Sequence, residues 1–318
     1  MPAISLFGLS HINLVYANAT SPPAIGMNPV EFALVLFGVT TLIGVVAVLG
    51  GTGGGVLFTP LMMGFTPINS YIIRATGLFV ALAGSLIAAR PFLRKGLANT
   101  KLLLFAAVPY TIFAVVGALL AGYLNTNMGE TGSAMVNLIL GCLVVFIALL
   151  MLLGGKEVEY PEVKKTDSFS ERLALSATYW EKSLNKVVSY KISRAPVGIL
   201  LFSFVGIISG LFGVGAGWAM VPVLNMVLFA PVKVAVASSK VLIGIGDTGA
   251  IWPYLLNGAV FPLFVIPSIA GVVAGTAIGA KIMPVVKASF IRWLVIFILL
   301  GSGGKLVFDG LKIFFFQG

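Results

Sequence analysis

The chain has 318 residues, 59% of them hydrophobic and only 9% charged, with a mean hydropathy of +1.08. Soluble domains carry about 25% charged residues, and here the apolar residues form many separate runs, so a water-soluble globule is excluded. The formal charge of +10 sits between those runs without aromatic interleaving, which excludes a nucleic-acid-binding face and reads instead as a set of topology signals.

Long continuous runs favour helices over a β-barrel, whose strands would alternate in short segments. The predicted fold class is therefore an all-α polytopic membrane protein, and the 38 glycines suit close helix packing in a bilayer. Residues 1–29 contain Ala17-Asn18-Ala19, a pattern like a signal-peptide cleavage site, but no Lys or Arg precedes it. This stretch is expected to stay as an extracytoplasmic N-terminal segment. It carries His11, the sole histidine, which removes His-dependent triads and the HExxH metal motif. The sole cysteine, Cys142, lies in an apolar run and reads as a small core residue, so neither an intrachain disulfide nor a multi-cysteine metal site is available. No metal, no organic cofactor and no enzymatic activity are expected.

A crossing of the hydrocarbon needs about 20 apolar residues. Six runs satisfy this: about 68–89, 101–124, 131–153, 233–252, 260–282 and 289–308. Two further runs are broken by glycine. The first, from Val30, meets Gly50-Gly51-Thr52-Gly53-Gly54-Gly55 and resumes only as far as Met63; the second, from Pro196, meets Gly213-Val214-Gly215-Ala216-Gly217 and resumes to Phe229. A shift of 162 positions lays Gly51, Gly53 and Gly55 on Gly213, Gly215 and Gly217, and Pro60 on Pro222. Two repeats, 30–153 and 196–318, are thus predicted, joined by a link over 154–195.

Orientation follows from Lys and Arg, which stay on the cytoplasmic side. Arg90, Arg94, Lys95 and Lys101 mark one loop of the first repeat, and the link carries eight more basic residues. In the second repeat the marked loop is the other one, through Lys281, Lys287 and Arg292. The repeats are therefore predicted to be inverted, each with three spanning helices and a glycine-broken region that either re-enters or spans as a pair; the short arms after the glycines favour re-entry. Lys305 and Lys312, near the C-terminus, run against the resulting placement of both termini outside. In the link, Ser168-Phe169-Ser170-Glu171 reads as a capping box opening an amphipathic helix through Val187.

Paired interrupted helices point to a transporter with its substrate held near the midplane. A half-helix beginning after glycines offers unpaired N–H groups to an anion, so Gly53, Gly54, Gly55, Gly213, Gly215 and Gly217 are candidate substrate contacts. Charged residues within spans are functional candidates. Arg74 and Lys240 read either as anion ligands or as snorkelling surface cations. Asp247 reads as a coupling-proton carrier or a structural counter-ion.

These features resemble the sulfite exporter TauE/SafE family, over about Val30 to Phe308. The resemblance rests on Gly51, Gly53, Gly54, Gly55 and Pro60, then on Gly213, Gly215, Gly217 and Pro222, and on small-hydroxyl sites at Thr76 and at Ser238 with Ser239. Ala216 within the second cluster and Gly77 beside Thr76 depart from the pattern. The resemblance implies a multi-pass cell-membrane protein, in the inner membrane if bacterial, that exports sulfite or an organosulfonate by alternating access. A passive anion channel and an importer of a related sulfur-containing anion are the alternatives. The expected partners are the small anion, the lipid bilayer, a coupling proton and a second copy of the chain.

Overall fold

The computed structural model describes residues 28–50, 53–94, 97–153, 161, 163, 166–181, 185–282 and 288–316. The N-terminal segment up to 27, Gly51, Lys95, Lys164 and Lys287 lie outside the described residues. The helices are α1 Pro29–Gly50, α2 Gly54–Phe65, α3 Ser70–Arg94, α4 Thr100–Leu153, α5 Ser168–Arg172, α6 Ala195–Phe212, α7 Gly217–Pro222, α8 Val232–Leu256, α9 Pro262–Ile282 and α10 Ala288–Phe316. A π-helical turn, Val223–Val227, continues α7. Eight helical stretches among the described residues are long and apolar enough to cross a membrane. Helices suit this solvent because each satisfies its own backbone polar groups.

The six uninterrupted runs all become helix, but two become one element. Helical hydrogen bonding runs through α4 for 54 residues, well over twice the roughly 20 residues one crossing needs. Its axis nevertheless folds back: a Cβ on Gly132 would lie 2.6 Å from the Leu124 carbonyl oxygen, where a straight helix would separate these residues by about 12 Å. The two arms, Thr100–Met128 and Thr131–Leu152, are separate candidate spans. The arms preceding the glycine breaks, α1 and α6, are also long enough to cross, whereas α2 has 12 residues and α7 with its π turn covers only Gly217–Val227.

The element order recurs at the same 162-position shift: α3 falls on α8 residue for residue, α4 on α9 plus α10, and α2 on α7 plus its π turn. Contacts set the helix directions. Gly44 packs on Val272 and Thr276, and Gly271 on Thr40, so α1 and α9 run parallel. Gly206 packs on Tyr110 and Gly210 on Ala114, so α6 runs parallel to the first arm of α4. Tyr71 meets Tyr254 while Gly244 meets Leu86, so α3 and α8 are antiparallel. Gly141 against Val307 and Gly310 against Leu138 make the second arm of α4 antiparallel to α10. Glycine permits these approaches: a Cβ on Gly210 would stand 1.9 Å from the Ala114 carbonyl.

The link departs from its predicted amphipathic helix. Among the described residues of the link before α6, only α5 is helical, and its N-cap is Asp167, whose side chain accepts from the Ser170 amide. The chain then forms an antiparallel hairpin, β1 Ala177–Glu181 with β2 Lys186–Tyr190, in which Trp180 faces Val187 and Tyr179 faces Val188. The physical reason is a competing period of two. Tyr179 and Tyr190 turn inward while Trp180 and Val187 stay exposed, and aromatic and β-branched residues favour a strand pair. Asn99 Nδ2 donates to the Leu175 carbonyl at 2.7 Å and to Tyr190 Oη at 3.2 Å, tying the hairpin to the start of α4. Cys142, predicted to be core, is exposed; a helix in lipid keeps an apolar outward face, so an apolar run does not imply burial.

Candidate functional site

The two glycine breaks touch one another. A Cβ on Gly55 would stand 2.6 Å from the Val214 carbonyl, and one on Gly53 would stand 3.8 Å from Gly217 Cα. The backbone at the breaks requires glycine at specific positions: Gly53, Gly213 and Gly215 have φ of 87°, 65° and 68°, in the region L side chains rarely adopt. Gly213 closes α6 as a left-handed cap, its N–H bonded to the Ser209 carbonyl. Its own carbonyl accepts from Thr59 Oγ1 at 2.7 Å, which joins the break of one half to α2 of the other. Gly77, the departure beside Thr76, is explained here. A Cβ at Gly77 would lie 2.1 Å from Thr59 Oγ1 and 2.3 Å from the Gly213 carbonyl oxygen.

Beside this crossing lies a cavity of about 510 Å³, lined by Gly53, Gly54, Gly215, Gly217, Trp218 and Lys240 among others. Val214 in the second break and the end of α7 also line it; the remaining lining comes from the last turns of α1, the second halves of α3 and α9, the last turns of α4 and the first half of α8. All of these lead toward the end of the bundle that carries Arg90, Lys281 and the link, so the cavity extends from the breaks to the basic end. Its walls are mainly apolar, with Ser85, Thr276 and Lys240 as polar exceptions.

The opposite end is packed shut. Tyr71 and Tyr254 have ring centroids 4.8 Å apart, and Asn257 Nδ2 donates to Tyr71 Oη at 2.9 Å. Tyr254 Oη donates to the Gly210 carbonyl at 2.8 Å. Arg74 is 1% exposed. Its Nη1 donates to the Leu211 carbonyl at 3.1 Å, its Nε donates to the Ser70 carbonyl at 3.2 Å, and its guanidinium lies over the Tyr71 ring. A cation on the last carbonyls of α6 meets the negative end of that helix's dipole.

Of the predicted contacts, Gly53, Gly54, Gly215, Gly217 and Lys240 line the cavity, whereas Gly55, Gly213, Arg74, Thr76, Ser238, Ser239 and Asp247 do not. Gly55 and Gly213 hold the crossing together. Thr76 Oγ1 donates to the Ile72 carbonyl and Ser239 Oγ to the Val236 carbonyl, each within its own helix. Ser238 Oγ is buried without a hydrogen-bond partner. Arg74 neither reaches the cavity nor snorkels. Asp247 is fully buried, and its Oδ1 accepts from Tyr110 Oη at 2.5 Å and Ser209 Oγ at 3.0 Å.

Sequence reasoning missed Trp218, which lines the cavity with an indole N–H that has no hydrogen-bond partner. Its place directly after Gly217 was the available signal. It also missed Tyr110 and Ser209, uncharged residues in apolar runs with no local mark of their role.

A family model described as sulfite exporter TauE/SafE matches residues 36–306. The chain is 24% identical over 277 residues to a "Probable membrane transporter protein YunE" of Bacillus subtilis (strain 168), covering 84% of this chain and 94% of that protein. It is 26% identical over 266 residues to a "Probable membrane transporter protein" of Xylella fastidiosa (strain 9a5c), covering 79% and 87%. No solved structure matches it. With eight candidate spans among the described residues and a family match over most of its length, the chain is a multi-pass membrane protein that belongs to the sulfite exporter TauE/SafE family of membrane transporters.

Proposed function

We propose that the protein exports a small oxyanion, sulfite or an organosulfonate, across the cell membrane by alternating access between two inverted repeats. The observation that carries this reading is the crossing of the two glycine breaks beside a cavity that holds Lys240. The N-terminus of α2 at Gly54 supplies backbone N–H groups, Lys240 supplies positive charge, and both act where water is scarce. The antiparallel pairs α3 with α8, and the second arm of α4 with α10, support the inverted arrangement, because these are the elements that correspond under the 162-position shift. With the basic end cytoplasmic, the cavity faces inward and the Tyr71, Arg74, Tyr254 and Asn257 cluster closes the outer side. Alternation then amounts to opening that cluster while the basic end closes.

Proteoliposomes containing the purified protein should show saturable sulfite flux and should exchange labelled for unlabelled anion against a gradient. Lys240→Met should weaken sulfite binding at least tenfold, which is about 1.4 kcal/mol. Flux that only follows its gradient and never exchanges would indicate a channel. Unchanged affinity in Lys240→Met would remove this cavity as the anion site.

A further inference from the structure

Asp247 is the one carboxylate buried in the membrane interior among the described residues, and the cavity lining does not include it. Its Oδ1 accepts from two hydroxyls, Tyr110 Oη and Ser209 Oγ, which are themselves 3.1 Å apart. Its Oδ2 has no hydrogen-bond partner. That oxygen faces the second glycine break, since a Cβ on Gly215 would stand 3.3 Å from it, and Gly215 lines the cavity. The unused oxygen therefore lies directly behind Gly215 in the cavity wall.

The groups around it come from every element packed on α8. From α3 come Arg74, engaged with the Leu211 and Ser70 carbonyls, and exposed Arg90. From α4 comes Tyr110 and from α6 Ser209, while α6, α7 and the π turn carry no charged side chain. On α8 itself stand Lys233, Lys240 and Tyr254. An ionised carboxylate held by two neutral hydroxyls, with one oxygen unpartnered away from water, is costly. The neutral acid avoids that cost. Because Oδ1 already accepts twice, the acid's proton belongs on Oδ2, pointing at the Gly215 backbone.

We propose that Asp247 binds a proton together with the transported anion, so that the two cross the membrane as a pair. This rests on the oxyanion reading of the cavity. The neutral acid keeps its Oδ2–H on the side of Gly215 and adds no negative charge behind the cavity wall; the carboxylate in its place would repel the anion. On loading, hydronium arriving through the cavity gives up a proton, an O–H bond forms on Oδ2 and a water molecule is left behind. On release that bond breaks, the proton passes to water on the other side, and the anion departs. A monoanion with one proton carries no net charge, so the direction follows from the anion and proton gradients, and an anion accumulating inside leaves with its proton. Tyr110 and Ser209 are positioning residues, holding Oδ1 so that Oδ2 faces the break.

Methanesulfonate is the probe of choice because it does not titrate in the working range; sulfite serves as the second probe. Calorimetric titration of the purified full-length protein in two buffers of different ionisation enthalpy reports protons taken up per anion. Wild type should take up about one proton per anion above the titration point of Asp247, with affinity falling about tenfold per pH unit there. Asp247→Asn should bind with no proton uptake and no pH dependence in that range, and its flux in proteoliposomes should ignore an imposed pH gradient. Tyr110→Phe should move the pH midpoint while proton uptake remains. Binding by wild type without proton uptake, or Asp247→Asn that keeps the wild-type pH profile, overturns the proposal. If Asp247→Asn does not fold, infrared difference spectra of wild type decide: a carboxylic-acid C=O band that shifts on methanesulfonate addition, and is displaced in Tyr110→Phe, supports it, and absence of that band overturns it. Failure of wild type to bind either probe would instead remove the oxyanion reading itself.

Discussion

Arg74 illustrates how a single buried charge can be satisfied without a counter-ion. Sequence position alone allowed an anion ligand or a snorkelling cation; the side chain is buried and turns to the Leu211 carbonyl at the broken end of α6, away from the cavity lining. Hydrogen bonds to charged groups are worth about 1.5–3 kcal/mol each. Arg74→Met should therefore lower stability by about that amount or somewhat more, and should weaken sulfite binding less than Lys240→Met does. Thermal unfolding in detergent, together with anion titration, checks both halves of this statement. A stable Arg74→Met protein with lost affinity would return the residue to the anion site.

At the level of elements, the same residue type has opposite meanings by position. Gly215 has φ of 68°, and a Cβ there would lie 2.8 Å from Ala81 Cβ; Gly38, on α1, has nothing within 4 Å. Gly215→Ala should reduce the yield of folded protein sharply, whereas Gly38→Ala should be neutral or stabilising by up to about 1 kcal/mol, the helix-propensity difference. Size-exclusion profiles and melting curves of the two variants make the comparison. The link has its own pH dependence. Partial burial pushes the Asp167 carboxyl up, but hydrogen bonds from the Ser170 hydroxyl and amide and from the Arg194 amide outweigh this and hold its pKa below the usual value. A depressed folded pKa contributes stability above the unfolded value, and that stability is lost as pH falls through the folded one. Protection factors at the Ser170 and Arg194 amides, referenced to intrinsic exchange at each pH, should fall in that acid window, and Asp167→Ala should show the lowered protection already at neutral pH.

For the whole molecule, the proposed mechanism depends on separating α3 from α8 at the end where Tyr71 meets Asn257. Replacing both with cysteine in a Cys142→Ser background, and bridging them with a thiol-to-thiol crosslinker, should stop flux while leaving the cavity open at the basic end. Reduction of a cleavable crosslinker should restore transport. Undiminished flux in the fully crosslinked protein would mean that this cluster does not move. Lys305 pairs with Asp309 at 3.4 Å within α10, but the positive-inside bias counts Lys and Arg rather than net charge, so Lys305 still runs against the predicted orientation.

Some of this was legible without coordinates, because the responsible physics is local and one-dimensional. Apolar length reports a bilayer crossing, so the uninterrupted spans could be read directly. Glycine spacing reports where helices cannot continue, so Gly53 and Gly215 stood out as breaks. What the tertiary structure decided depends on directions and neighbours that no window of sequence contains. The fold-back of α4 at Leu124 to Gly132, the meeting of Gly55 with Val214, the hairpin in the link and the turn of Arg74 toward Leu211 are of this kind. Asp247 shows the division most clearly. Its charge within a span marked it as exceptional, but its hydrogen-bond partners lie 137 and 38 positions away in the chain, and only packing could bring Tyr110 and Ser209 to one oxygen and leave the other facing the glycine break.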